Sequence, residues 1–63
     1  MEQIKIFTAF DLRTLQSKVN RWSAEMKHDA GLWFKVKDVN TSYNDEKGEY
    51  VSTVRYRIPS WLI

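Results

Sequence analysis

The sequence predicts an α+β fold in which one helix packs on one face of a three-stranded antiparallel sheet. Apolar residues recur at helical spacing between Asp11 and Met26, and before that stretch they alternate with polar residues. Two further extended stretches follow, and a polar loop that ends in Gly48 separates them. The predicted element order is therefore β-α-β-β.

The first strand is predicted over residues 2–9. Ile4 and Ile6 alternate there with polar side chains, and β-branched residues favour the extended conformation. We expect these two isoleucines to face the core. Phe7 then falls on the opposite face of the sheet.

The helix is predicted over residues 11–26. Its apolar residues are three or four positions apart and form one narrow stripe: Leu12, Leu15, Val19, Trp22 and Met26. Asp11 is a favoured N-cap, and Phe10 and Leu15 stand at the two positions of a hydrophobic staple. Gly31 offers a left-handed exit at the end of the helix.

The second strand is predicted over residues 32–43, with Leu32, Phe34 and Val36 on one face. Farther along, the apolar positions have the opposite parity. A β-bulge near Lys37 and Asp38 would restore a common face, because one extra residue reverses every later side chain.

Residues 44–48 are predicted to form a hairpin loop, and residues 49–58 the third strand, which Pro59 ends. Its inward side chains are Tyr50, Val54, Tyr56 and Ile58. Because the helix reverses the chain direction, the first two strands run parallel and the third runs antiparallel to both. Placing the third strand in the middle gives the order 1-3-2 within a single domain of residues 1–63 that ends in an apolar tail, residues 59–63.

Composition limits the sources of stability. At 63 residues a single core is only marginally stabilising, and the absence of cysteine excludes disulfides. One histidine without cysteine does not favour a structural zinc site. Oligomerisation or unusually good packing by the nine aromatic residues remains as a source of stability, and we predict oligomerisation. No apolar run reaches the ~20 residues of a membrane span, and no signal-peptide pattern is present. We therefore expect a cytoplasmic protein without a membrane partner.

The sheet face opposite the helix is predicted to be uncovered. By parity it carries Lys5, Phe7, Trp33, Lys35, Lys37, Val51, Thr53, Arg55 and Arg57. Basic residues interleaved with aromatics are typical of single-stranded nucleic-acid platforms. The same alternation is typical of any one-sided sheet, and the net charge of +2 does not by itself indicate nucleic acid. A solvated or self-associating face, nucleic acid and an unidentified protein partner are the three interpretations, and exposed Phe7 and Trp33 favour self-association.

The tail ends in three large apolar residues, Trp61, Leu62 and Ile63. Either they fold back and enlarge the core, or they cross to a second subunit with Trp61 as the anchor. The predicted interaction residues are Phe7, Trp33, Lys35, Lys37, Arg55, Arg57 and Trp61.

The sequence contains no catalytic constellation. His28 and Asp29 are neighbours in a helix-terminal turn, where adjacent side chains point apart, and the helix dipole accounts for the histidine. Serine and threonine have no nearby activating base, and two glycines do not make a phosphate loop. We therefore predict that the protein is not an enzyme and needs no cofactor.

Several short motifs resemble the small sporulation-associated proteins of bacilli and their phage-encoded relatives. The motifs are Ile4-Lys5-Ile6-Phe7, Asp11-Leu12, Val19-Asn20-Arg21-Trp22, Val36-Lys37-Asp38-Val39 and the strand from Tyr50 to Tyr56. The likeness covers nearly the whole chain but mostly core positions. It implies a small non-enzymatic bacterial or phage protein, and it carries over no site residues.

The run Leu32-Trp33-Phe34-Lys35-Val36 is similar to the Trp-Phe-Glu-Val run of the dodecins, whose tryptophan stacks on a flavin. Only Trp33 would transfer as a flavin contact, because Thr53 stands where dodecins have a flavin-binding glutamine. We therefore predict a non-enzymatic binding or adaptor protein that acts by protein association. A nucleic-acid-binding module and a flavin binder are the alternatives.

Overall fold

A computed structural model describes residues 1–62 and confirms the predicted β-α-β-β order and α+β class. Its elements are strand β1 (Glu2–Ala9), helix α1 (Leu12–Ala30), strand β2 (Lys35–Asn44) and strand β3 (Glu49–Arg57), with short 3-10 turns at Gly31–Trp33 and Ser60–Leu62. The three strands form one antiparallel sheet in the predicted order β1-β3-β2. Ile63, the last residue of the predicted tail, lies outside the described residues.

Helix α1 begins at the predicted cap. The Asp11 carboxylate accepts from the Thr14 backbone N–H at 2.8 Å and from the Thr14 hydroxyl at 2.9 Å. These bonds satisfy one of the free amides of the first turn. The predicted staple is wrong, because Phe10 is 81% exposed and leaves Leu15 to be buried by other residues.

The Asp11 cap predicts a pH dependence of stability. The Thr14 backbone N–H, and then its hydroxyl, hold the Asp11 pKa below its ordinary value of 3.8. The cap therefore stabilises the fold fully above that value and loses its effect as the pH falls through the lowered pKa. In thermal unfolding followed by circular dichroism, the difference in melting temperature between wild type and Asp11→Ala should decrease as the pH falls through that acidic range.

Asp11→Asn provides the control for this titration. Asparagine keeps an acceptor for the Thr14 N–H but has no carboxyl to protonate. Its melting temperature relative to Asp11→Ala should not change across the same pH range. A constant difference between wild type and Asp11→Ala would show that the carboxylate charge adds nothing.

The helix continues one turn beyond the predicted end, to Ala30. Ala30 stands four residues after Met26, so it extends the apolar stripe, and it is buried. Gly31 then ends the helix with φ 58° and ψ −129°, and its N–H donates to the Lys27 carbonyl. The predicted positive φ is confirmed, although this ψ lies outside the left-handed helical region.

Strand β1 presents the opposite face from the one predicted. Lys5 lies opposite Val54 and Phe7 opposite Ser52, and directly opposed residues share a face. Since Val54 and Ser52 are buried beneath the helix, Phe7 packs inward as well. Ile4 and Ile6 are instead 64% and 62% exposed on the open face. The aromatic ring determines the outcome, because it buries more apolar area than an isoleucine and contacts the helix.

Trp22 of α1 is half-buried and packs against the core cluster. Its ring meets those of Phe7, Phe34 and Tyr56 edge to face, at centroid distances of 5.4, 5.5 and 4.7 Å. These are favoured geometries for aromatic pairs. The core therefore joins α1 to strands β1 and β3 and to the residue that precedes β2.

Strand β2 begins at Lys35, three residues later than predicted. Gly31–Trp33 form a 3-10 turn, so Leu32 is exposed and does not share the inward face of Phe34. The predicted bulge is confirmed: Val36 lies opposite Tyr56, Asp38 lies opposite Arg55, and Lys37 is the extra residue. The bulge returns Val39 to the helix-facing side of the sheet.

A tight loop connects β2 to β3. The Asn44 side-chain oxygen accepts from the backbone N–H groups of Glu46 and Lys47, and the Asn44 carbonyl accepts from Gly48 at 2.8 Å. Gly48 takes φ 64°, a conformation that glycine adopts without strain. Farther along β3, buried Ser52 exchanges a 3.2 Å hydrogen bond with Thr41 across the β2–β3 pair.

In the described part of the tail, Leu62 folds back onto the core, whereas Trp61 stays available for contact with another molecule. Leu62 is half-buried and packs against the core cluster, so this residue folds back. Trp61 is 64% exposed in the 3-10 turn Ser60–Leu62 and adds little to the core. The tail thus closes one end of the sheet while presenting an indole to solvent.

Candidate binding surfaces

The structure brings together four of the seven predicted interaction residues at one end of the sheet. Trp33, Lys35, Lys37 and Arg57 line a cleft of about 570 Å³, together with Met1, Ile58, Pro59 and Ser60. We call these eight residues the basic cleft. The other predicted residues lie elsewhere: Phe7 is in the core, Arg55 lies one pair farther along the sheet, and Trp61 follows Ser60 in the tail.

Trp33 is an exposed wall of the basic cleft. It closes the 3-10 turn that Gly31 begins, and the next residue, Phe34, is buried in the core and donates its N–H to the Gly31 carbonyl at 3.3 Å. The Trp33 side chain is itself 69% exposed. A buried neighbour and a hydrogen-bonded turn thus fix the backbone that carries a solvent-facing indole.

The cations of the basic cleft come from two paired strands. Lys35 and Arg57 are opposite each other in the β2–β3 register and project to the open face. Lys37 is the bulged residue, two positions along β2. The bulge was predicted for its effect on the later apolar residues, but it also adds a cation at the rim of this cleft.

The floor of the basic cleft is tied together by backbone hydrogen bonds. The Met1 ammonium donates to the Ile58 carbonyl at 2.7 Å, and the Ile58 N–H donates to the Met1 carbonyl at 3.0 Å. Beyond Pro59, the Leu62 N–H donates to the Pro59 carbonyl at 3.1 Å. The start of β1 and the chain after β3 are therefore held side by side.

Arg55 is less available to a ligand than the sequence predicts, because it forms an ion pair. Its Nε lies 3.3 Å from a carboxylate oxygen of Glu2, the one ion pair that residues 1–62 contain. Arg55 also lies opposite Asp38 in the β2–β3 register. Both groups of the ion pair are about half exposed, so we assign it little net stability. It does reduce the positive charge that Arg55 offers to a ligand.

Sequence reasoning missed a second surface, between the helix and β2. It is a groove of about 170 Å³ lined by Leu12, Leu15, Gln16, Val19, Asn20, Val39, Thr41 and Ser52, and we call it the β2 groove. The sequence predicts Leu12 and Val36 in the covered core, but both are 44% exposed. On the same side of the sheet, Val39 and Tyr43 are 50% and 51% exposed.

Elementary dimensions explain why the β2 groove stays open. An α-helix is about 10 Å wide with its side chains, and strands lie about 4.8 Å apart. One helix therefore covers about two strands, and here it packs on β1 and β3. The narrow stripe of α1 was the available signal, since so few apolar residues do not cover a three-stranded sheet.

The described residues offer few features of a catalytic or metal centre. Within residues 1–62 no three histidine or carboxylate side chains come together as a metal site. His28 and Asp29 lie exposed in the last turn of α1. No helix in this part of the chain is both long and apolar enough to cross a bilayer.

No protein-family model, curated protein or solved structure matches the chain. The resemblances to the sporulation-associated proteins and to dodecins therefore stay predictions.

Proposed function

We propose that the protein is a non-enzymatic protein-association module that works as a homo-oligomer, with strand β2 of one copy meeting β2 of another. The observation that carries this proposal is the exposure of β2, in which nine of ten residues are solvent-exposed. Its helix-facing side presents Val36, Val39 and Tyr43 beside the open β2 groove. Contiguous exposed apolar side chains of this kind mark interaction sites.

The dimensions of the chain support this proposal. Its radius of gyration is 12.5 Å, whereas a compact domain of this length has about 10.6 Å. Its accessible surface is 4879 Å², whereas a compact monomer of this mass exposes about 4250 Å². The excess approaches the ~800 Å² that each partner buries in a standard interface.

The chemistry of the β2 edge also supports self-association. Lys35, Lys37 and the bulge protect the beginning of β2, but from Asp38 to Asn44 the strand has one charged side chain and no proline, so this part lacks the usual protection of an exposed edge. The opposite edge, β1, carries Lys5, and its ammonium lies 6.0 Å from the centre of the Phe7 ring. Of the two edges, β2 is the better template for another strand.

The β2 sequence is self-complementary about Thr41. Antiparallel pairing of two β2 strands around a two-fold axis through Thr41 places Val39 of each copy opposite Tyr43 of the other. All three residues are on the helix-facing side. The result is a continuous six-stranded sheet with both helices on one face, so that the β2 grooves of the two copies adjoin.

The test compares Val39→Lys with Ile6→Lys by size exclusion coupled to light scattering. Both positions are at least half exposed in the single chain and lie on opposite faces of the sheet. The mass of wild type from light scattering should be a multiple of the 7.5 kDa chain mass. Val39→Lys should weaken association roughly 100-fold or more, because an unpaired charge in an interface costs about 3–5 kcal/mol.

Ile6→Lys is the matched control and should associate like wild type. Circular dichroism of both variants should show the wild-type spectrum, since neither side chain is in the core. A wild-type monomer at the highest soluble concentration would contradict the proposal. Dissociation by Ile6→Lys alone would place the interface on the open face instead.

A further inference from the structure

We propose that the basic cleft binds single-stranded nucleic acid, with Trp33 stacking on a base and Lys35, Lys37 and Arg57 contacting phosphates. This site shares no lining residue with the β2 groove, so the inference does not rest on the proposed function. It names a ligand class for four of the interaction residues that the sequence singled out.

The exposed indole of Trp33 supplies the stacking surface. A base in a single strand has a free π-face, and stacking on an aromatic side chain is the common way in which proteins hold it. The backbone that carries Trp33 is fixed between the Gly31 turn and buried Phe34, so little ordering of the chain is needed on binding.

The spacing of the cations suits a phosphodiester chain. Lys35 and Lys37 are two residues apart, a distance of at most ~7 Å along a strand. Arg57 lies directly opposite Lys35 on β3, so the three groups follow the end of the sheet. Trp33 lies two residues before Lys35 in the same cleft, which places the aromatic ring beside the row of cations.

Charge also accumulates at this end of the sheet. Lys35, Lys37 and Arg57 together place three side-chain cations in the lining of the cleft. Within residues 1–62, the carboxylates nearby in register are Glu2 and Asp38. Glu2 lies opposite Arg57 but pairs with Arg55 at 3.3 Å, and Asp38 lies opposite Arg55. The Glu2 carboxylate is thus held by Arg55, and within residues 1–62 Lys35, Lys37 and Arg57 form no ion pair.

The favoured partner is a single strand. A duplex keeps its bases stacked on one another, so the Trp33 ring would have no base face to contact. An acidic peptide would satisfy the cations and leave the indole without a planar partner. The combination of one exposed ring with a row of cations therefore selects unpaired bases.

The test measures anisotropy of a fluorescein-labelled oligodeoxythymidine of ~12 nucleotides, a length within the usual site sizes. Lys37→Glu should weaken binding at least ~10-fold and should make the salt dependence shallower by ~0.7 in the log–log slope, the effect of one phosphate contact. Trp33→Ala should weaken binding about 5- to 150-fold, the range for one base stack.

Lys18→Glu is the matched control, because it makes the same charge change on helix α1, where Lys18 donates to the Thr8 carbonyl of β1, away from the basic cleft and from the β2 edge. It should change the affinity less than ~2-fold at moderate salt, where long-range charge effects are screened. Arg57→Glu should weaken binding more than Arg55→Glu, since Arg55 is already paired with Glu2.

Four results would overturn the inference. They are absence of binding at low salt, equal loss in Lys37→Glu and Lys18→Glu, a duplex bound as tightly as the single strand, and competition by polyglutamate at matched charge. The first would show that the cleft does not bind single strands. The second would show that binding depends on the overall positive charge of the protein and not on this cleft. The last two assign the cleft to another ligand class. Mass measurements on the same samples report self-association separately.

Discussion

Trp22→Ala is expected to leave the protein largely unfolded under conditions in which wild type is folded. The Trp22 ring contacts three other aromatic rings at centroid distances between 4.7 and 5.5 Å. Truncating a core tryptophan to alanine removes about 3–5 kcal/mol of unfolding free energy. A single core in a chain of this length rarely supplies more than about 3–5 kcal/mol in total.

Chemical denaturation followed by far- and near-ultraviolet circular dichroism measures this effect. Trp22→Phe should give an intermediate loss, because it keeps one ring for the edge-to-face contacts. Trp61→Ala removes an indole that is mostly exposed and serves as the control. All variants are compared at one protein concentration, since self-association makes stability concentration-dependent. A cooperative transition for Trp22→Ala at the wild-type midpoint would show that the core does not depend on this ring.

Phe7→Ala is expected to destabilise the protein by roughly 2–3 kcal/mol, whereas Ile6→Ala costs less than about 1 kcal/mol. Phe7 packs against Trp22, and Ile6 projects from the opposite face of β1 and is 62% exposed. The pair therefore reports which face of β1 meets the helix. Denaturation midpoints of the two variants give the answer directly.

The opposite order of effects would support the assignment that the alternation of Ile4 and Ile6 suggests. It would mean that β1 presents its isoleucines to the helix and its phenylalanine to solvent. Similar losses for the two variants would indicate that both faces of β1 are covered, as they would be if the open face were an interface. Light scattering of Ile6→Lys distinguishes that case.

The inward face of β1 was predicted wrongly, whereas the inward faces of β3 and, through the bulge, of β2 were predicted correctly. In β1 the pattern has two isoleucines on one face and one phenylalanine on the other, and it predicts that the isoleucines face inward. Tertiary contact with Trp22 reversed that balance. Local alternation does not reveal which face a helix will cover, because the helix is positioned by residues far away in sequence.

Several features governed by local chemistry were predicted correctly, although the staple of Phe10 and Leu15 was not. The Asp11 cap, the positive φ of Gly31 and the bulge at Lys37 all follow from a few neighbouring residues. The basic cleft was partly visible for the same reason, since Trp33, Lys35 and Lys37 are close in sequence. The contribution of Arg57 and the pairing of Arg55 with Glu2 depended on strand register, which no short segment contains.

The buried hydroxyl of Ser52 disfavours any other register of the β2–β3 strand pair. Sliding β2 by two residues would keep every apolar side chain on its own face, so hydrophobic patterning alone does not prevent it. The slide would, however, place Val39 or Tyr43 opposite Ser52 in place of Thr41. The Ser52 hydroxyl would lose its 3.2 Å partner, and an unsatisfied buried polar group costs about 1–3 kcal/mol. This pair of small hydroxyl side chains thus favours the observed register of β2 on β3, in a sheet whose edge strand β2 is exposed.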